Sequence, residues 1–199
     1  MSTAGTTARP AGRMAGRLQT SAIIAVTAVV LGVLIYAASG QKPSDGVTEI
    51  NLGSGAAATS PVVGGVPPAF TALTYDGKTV SLADYAGKPV WLTFGASWCP
   101  DCRTESADVE TVYKANKDKG LNVLAVFIQE PATDVSGYAQ RAGLTFPIAV
   151  DQQAAIADAY RTMGIPTHFF IGPDGRIREV RIGALSKDEM DAAVAAIMN

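Results

Sequence analysis

The stretch Val90-Trp91-Leu92-Thr93-Phe94-Gly95-Ala96-Ser97-Trp98-Cys99-Pro100-Asp101-Cys102-Arg103-Thr104-Glu105 decides the fold. Val90 to Phe94 is a short, nearly continuous apolar run, the pattern of a strand buried on both faces. From Cys99 the pattern changes to helical spacing, and the helix reaches about Lys117 before Gly120 stops it. A buried strand followed at once by a helix puts Cys99 at the helix N-terminus. Free backbone N–H groups and about half a positive charge favour a thiolate there. Cys102 follows one turn later, close enough to close a disulfide with Cys99.

These are the only two cysteines in 199 residues, so a scaffold stapled by several distant disulfides is excluded. A bond across so short a loop adds little stability, which makes a redox role more natural than a structural one. Zinc would need ligands that a chain with one histidine, His168, does not supply. Haem attachment would need a histidine where Arg103 stands. Two inert buried thiols are the bland alternative.

Composition bounds the rest. Hydrophobic residues make up 48% and charged residues 17%, enough for one substantial core. A formal charge of -2 without a dense basic footprint gives no reason to expect nucleic acid as a partner. Upstream, Arg9, Arg13 and Arg17 are the only charged side chains before Lys42, and they precede an apolar run from Ala22 to Ala38. As a helix this run spans about 26 Å, close to the hydrocarbon thickness of a bilayer. The sequence therefore divides into a cytoplasmic segment at 1–20, a transmembrane signal-anchor helix at 21–39, a Gly/Ser/Ala/Pro-rich flexible linker at 40–66 and a globular domain at 67–199. The competing reading, a cleaved signal peptide with Ala37-Ala38-Ser39 at its end, normally has a shorter apolar region.

Downstream, Phe70–Thr74 and Thr79–Leu82 flank Asp76-Gly77, a hairpin signal. Leu121–Ile128 reads as a second buried strand, followed by a helix at Val135–Arg141, a strand at Phe146–Val150 and a helix at Ala154–Tyr160. Thr167–Ile171 and Arg176–Ile182 form a last hairpin across Gly172-Pro173-Asp174-Gly175, and Ser186 with Glu189 opens the final helix as a capping box. Strands alternating with helices, then a terminal hairpin and helix, predict an α/β domain with a mixed sheet and helices on both faces.

Trp98-Cys99-Pro100-Asp101-Cys102, with Gly164-Ile165-Pro166-Thr167 about sixty residues later, resembles the thioredoxin superfamily. The anchor, the hairpin at 70–82, the helix–strand segment between Pro131 and Val150, and Glu105 three residues after Cys102 resemble its TlpA/ResA-like branch of membrane-anchored extracytoplasmic oxidoreductases. The resemblance covers Pro67–Asn199. It implies a thioredoxin-like fold behind one transmembrane helix, with Cys99 as attacking thiolate and Cys102 as resolving thiol. Trp98, Pro100, Ile165 and Pro166 would form the substrate-binding surface, with the Ile165–Pro166 bond cis. It implies a bacterial cell membrane location with the domain on the extracytoplasmic side. The implied partners are protein disulfide substrates, apocytochrome c among them, and a membrane electron donor for re-reduction; no metal or other cofactor is implied.

Glu105 has support of its own. It shares one helix face with Cys102, Val109, Val112 and Tyr113, so the carboxylate lies on the stripe that faces the core, near the second sulfur. Burial there favours the protonated form and suits the group to pass protons to or from Cys102. The alternative is a solvated first-turn glutamate held by the helix dipole. Thr93 stands where thioredoxins proper carry a buried aspartate, which leaves Glu105 as the single relay. Asp101, roughly 6–7 Å from the Cys99 sulfur at an effective dielectric of about 40, opposes the thiolate by about 1 kcal/mol. That makes the pair more reducing by about 20–30 mV, and Arg103 pulls the other way.

Two other functions compete. Cys99, Cys102 and His168 imitate the ligand set of Cu(I)-delivery proteins with this fold, although those space their cysteines by three residues. Otherwise His168 is a strand histidine satisfied in the core. A peroxiredoxin-like peroxidase would want a threonine three residues before its nucleophile, where Ala96 stands.

Overall fold

The computed structural model describes residues 50–52 and 61–199, all within one compact unit, Gly46–Asn199. The expected anchor at 21–39, the segment before it and most of the linker lie outside the described residues. Among the described residues no helix is long and apolar enough to cross a membrane.

The central strand β4 (Val90–Gly95) is buried along its whole length, as its apolar run requires. It pairs in parallel with β5 (Asn122–Ile128), which pairs in parallel with β6 (Ile148–Asp151). On its other side β4 pairs antiparallel with β7 (Thr167–Ile171), and β7 with β8 (Ile177–Ile182). The order β6-β5-β4-β7-β8 is a mixed five-stranded sheet. A smaller antiparallel sheet joins β1 (Asn51–Leu52), β2 (Phe70–Leu73) and β3 (Thr79–Ser81), and a bridge between Thr74 and Ala149 links it to the edge of the main sheet.

Alternation along the strands sorts the core into two layers. Trp91, Val123, Ala125, Phe127 and Phe170 face α1 (Pro100–Asn116), α2 (Ala132–Ala142) and α4 (Lys187–Met198), meeting Val109, Val112, Val135 and Met190. Leu92, Phe94, Leu124, Val126 and Phe169 face the other way, against Ile156 of α3 (Ala155–Ala159), Tyr160 and the hairpin residues Phe70 and Val80. Helices on both faces of a mixed sheet are thus as expected.

The boundaries moved for local reasons. The strand expected from Phe146 begins at Ile148, because Pro147 has no N–H to give a ladder. The first hairpin ends at Ser81, whose hydroxyl and Asp84 form a capping box over a short 3₁₀ turn, Leu82–Tyr85. The box expected at Ser186 and Glu189 is present.

Candidate active site

Pro100 occupies the first turn of α1, where its missing N–H costs nothing, and Cys99 is the N-cap with extended backbone at φ -80, ψ 119. The sulfur takes the place of a capping oxygen: Cys99 Sγ accepts the Cys102 backbone N–H at 3.2 Å. Cys99 and Cys102 are disulfide-bonded, with Cα atoms 5.3 Å apart, and both are nearly buried. Ala96 and Ile165 pack against them. The Ile165–Pro166 peptide is cis, as the resemblance implies, and the Ile165 carbonyl oxygen lies 3.8 Å from Cys99 Sγ. The loop is held from behind: Thr167 Oγ1–H donates to Gly164 O at 2.6 Å, and the Gly183 N–H donates to Pro166 O at 2.8 Å.

Of the residues singled out in the sequence, Cys99, Cys102 and Ile165 converge directly. Pro166 is buried beneath them, whereas Pro100 and Trp98 are exposed, the indole at 53%. Met163, two residues before Ile165, is 91% exposed, and the sequence reading passed over it. Between α1 and α2 runs an open groove of about 660 Å³ lined by Ser97, Pro100, Arg103, Thr104, Tyr138 and Arg141. Asp101 and Arg103 are exposed and form no ion pair among the described residues.

Glu105 is 5% exposed, which excludes the solvated alternative. Its Oε2 accepts the Leu185 N–H at 3.0 Å, and Oε1 lies 3.5 Å from His168 Nε2. With Cys102, Thr93 and Phe127 it lines a crevice of about 20 Å³, room for roughly one water. His168 is fully buried; Trp91 Nε1–H donates to its Nδ1 at 3.2 Å, and Thr93 Oγ1 lies 3.0 Å from the same nitrogen. The copper reading is therefore corrected. It needs Cys99, Cys102 and His168 to converge, but one ring nitrogen is occupied by the Trp91 donor and the other faces a carboxylate. Among the described residues no three His, Cys, Asp or Glu side chains group closely enough to hold a metal ion.

Glu130 was missed. Only 4% exposed, its Oε1 accepts the Ser97 N–H at 2.7 Å and its Oε2 accepts the Ser97 hydroxyl, so it clamps the loop entering Trp98 and Cys99. Burial pushes its carboxyl above the usual range, the two Ser97 bonds pull it back, and Asp134 adds to the rise. A sequence signal existed: Glu130 follows a buried strand parallel to β4, and ligand-facing groups gather at the carboxyl ends of parallel strands.

The match to a family model covers residues 63–180, that of the AhpC/TSA family. The chain is 34% identical over 139 residues to the thiol-disulfide oxidoreductase ResA of Geobacillus kaustophilus, spanning 70% of this chain and 80% of that one. To the ResA of Oceanobacillus iheyensis it is 35% identical over 116 residues, 58% of this chain and 60% of that one. Among solved structures it is similar to a thiol:disulfide interchange protein of the thioredoxin family from Chlorobium tepidum, with TM-score 0.63, 28% identity and coverage of 71% of this chain and 99% of the other. A secreted Mycobacterium tuberculosis disulfide oxidoreductase homologous to E. coli DsbE is also similar, with TM-score 0.59, 26% identity and coverage of 63% and 94%.

Proposed function

Because the chain belongs to the AhpC/TSA family, and within it to the ResA-like thiol–disulfide oxidoreductases, we propose that it reduces disulfides of extracytoplasmic proteins through Cys99 and Cys102. The observation that carries this reading is Cys99 capping α1 while facing the cis-Pro166 loop. In the reduced state the Cys99 thiolate attacks one sulfur of a substrate disulfide and expels the other as a thiolate. Cys102, giving its proton to Glu105, then attacks the mixed disulfide. The second substrate thiolate leaves, and the Cys99–Cys102 bond closes with two electrons transferred to the substrate. A membrane electron donor returns them.

Trp98, Pro100 and Ile165 form the docking surface, shaped from within by the buried Pro166, and the exposed indole of Trp98 meets an apolar substrate residue. The extracytoplasmic side is supported by the apolar run at Ala22–Ala38 behind three arginines and by the secreted Mycobacterium relative. Reduction of apocytochrome c before haem attachment is the substrate class this reading favours. The peroxidase alternative has no support at Ala96, which is buried and bears no hydroxyl to orient a peroxide.

The test is a Cys102→Ser trap. Substrates are expected as mixed disulfides on Cys99, and none on Cys99→Ser; equal capture by both variants sinks the nucleophile assignment. Direction is read from the midpoint potential of the pair. A value near that of thioredoxin, about -270 mV, supports reduction, and one near the strong oxidant DsbA, about -120 mV, defeats it.

A further inference from the structure

His168 is fully buried at the centre of the sheet, on β7 opposite Thr93 of β4. Its two nitrogens are in different situations. Nδ1 receives the Trp91 indole N–H at 3.2 Å, and an indole nitrogen can only donate. Nδ1 must therefore offer its lone pair, which puts the proton of the neutral imidazole on Nε2. Among the described residues Nε2 has no hydrogen-bond partner within normal distance, an arrangement that is costly for a buried polar group. The acceptor it faces is Glu105 Oε1, at 3.5 Å.

The groups around this pair are few. Cys102 lines the same crevice from α1, the Leu185 amide binds Glu105 Oε2 from the segment before α4, and Trp91 and Thr93 approach His168 from β4. Among the described residues no lysine or arginine lies within ion-pair distance of Glu105. The two carboxylate oxygens are thus distinguished: Oε2 is engaged by a backbone N–H, and Oε1 is left between an N–H and the crevice shared with Cys102.

We infer that His168 is a positioning residue for the disulfide-exchange reaction: held in one tautomer by Trp91, it directs Nε2–H at Glu105 Oε1 and so sets how readily that carboxylate accepts the Cys102 proton. The inference rests on the reading of Glu105 as proton acceptor. The N–H faces the one carboxylate oxygen that the Leu185 amide leaves free, the oxygen placed to take the Cys102 proton. A phenylalanine at 168 fills the space without that N–H.

The test uses the reduced full-length chain in a rapid-mixing single turnover with an aromatic disulfide whose released thiolate is coloured. The first thiolate appears at a rate proportional to reagent, as Cys99 attacks; the second appears at a rate independent of reagent, as Cys102 attacks. In His168→Phe the acid midpoint of the second phase is expected to move up by about one pH unit, a roughly tenfold slowing on the acid limb. His168→Gln, which returns an N–H, moves it back, and His168→Phe adds nothing in a Glu105→Gln background. A His168→Phe that slows both phases equally at every pH, or acts as strongly without Glu105, overturns the inference. If Glu105→Gln alone leaves the second phase and its pH profile intact, the proton-acceptor reading falls instead. Should His168→Phe not fold, imidazole ¹⁵N spectra of the unaltered chain decide: a bare Nδ1 and a protonated Nε2 are expected, and the opposite tautomer overturns the inference.

Discussion

Removing the Glu130 carboxylate tests whether the entry to the active site is held by a buried acid. In Glu130→Ala, Ser97 loses acceptors for both its N–H and its hydroxyl. Bonds to a charged acceptor contribute about 1.5–3 kcal/mol each, or about 3–6 kcal/mol together. Two effects reduce this. Water from the adjoining groove reaches the half-buried Ser97, and the alanine no longer buries a carboxylate whose burial already pushes its proton affinity up. The net loss is about 2 kcal/mol, which for a domain of this size lowers Tm by about 6–10 °C. Glu130→Gln supplies the sign. A raised folded-state value means that the folded chain binds the proton more tightly than the unfolded one. The wild type therefore keeps this contribution at acid pH and loses it as pH rises from the ordinary glutamate range through the raised value. Glutamine cannot ionise, so the variant matches the wild type near pH 4 and gains on it by pH 8. Denaturation of the oxidised chain in urea, followed by tryptophan fluorescence, measures both. A cost below about 0.5 kcal/mol in the alanine variant, or a glutamine variant that falls behind as pH rises, refutes the reasoning.

Three further outcomes follow from the same structure. Asp151 is fully buried and accepts the Ala157 N–H at 2.9 Å through Oδ2, and among the described residues Oδ1 has no partner. Burial pushes it up more than the amides of Ala157, Ala155 and Ile156 pull it down, so Asp151→Asn should gain Tm on the wild type between pH 4.5 and 7.5; a shrinking gain contradicts this. Tyr160 donates its hydroxyl to Pro68 O at 2.7 Å while its ring packs on Phe70, Phe94 and Phe169. Tyr160→Phe should cost about 1–2 kcal/mol in urea, because a buried carbonyl is left unpaired, and an unchanged midpoint counts against it. Finally, Trp98→Ser combined with Met163→Ser should raise KM for protein disulfides by roughly tenfold, about 1.4 kcal/mol of lost apolar docking. A defect carried wholly by kcat would exclude a docking role for these two exposed side chains.

Much of the fold was legible because its signals are local. The apolar run at 90–94, the cysteines on one helical turn, the capping residues and the glycines at turns each declare themselves over a few positions. Some boundaries slipped where one residue changed the hydrogen bonding, as Pro147 did at the start of β6, and the helix expected at Val135–Arg141 starts earlier, at Ala132. The cysteine pair and the facing of Glu105 toward the core were likewise readable, since a helix repeats over distances a short window spans. What surrounds Glu105 was not. Its partners come from Leu185, 80 residues away, and from His168; Trp91 reaches His168 across 77 residues, and Glu130 reaches Ser97 across 33. Such meetings depend on strand order and register, which no periodicity encodes. For His168 the sequence left a copper ligand and a core histidine both open. The antiparallel pairing of β4 with β7 decided between them, by setting the ring beside Thr93 and within reach of an indole N–H and a buried carboxylate. Sequence alone therefore determined that this chain places two cysteines at the start of a helix behind a buried strand. The tertiary structure decided which distant acids and which histidine surround them, because side-chain electrostatics depend on distances in space that only the packed sheet sets.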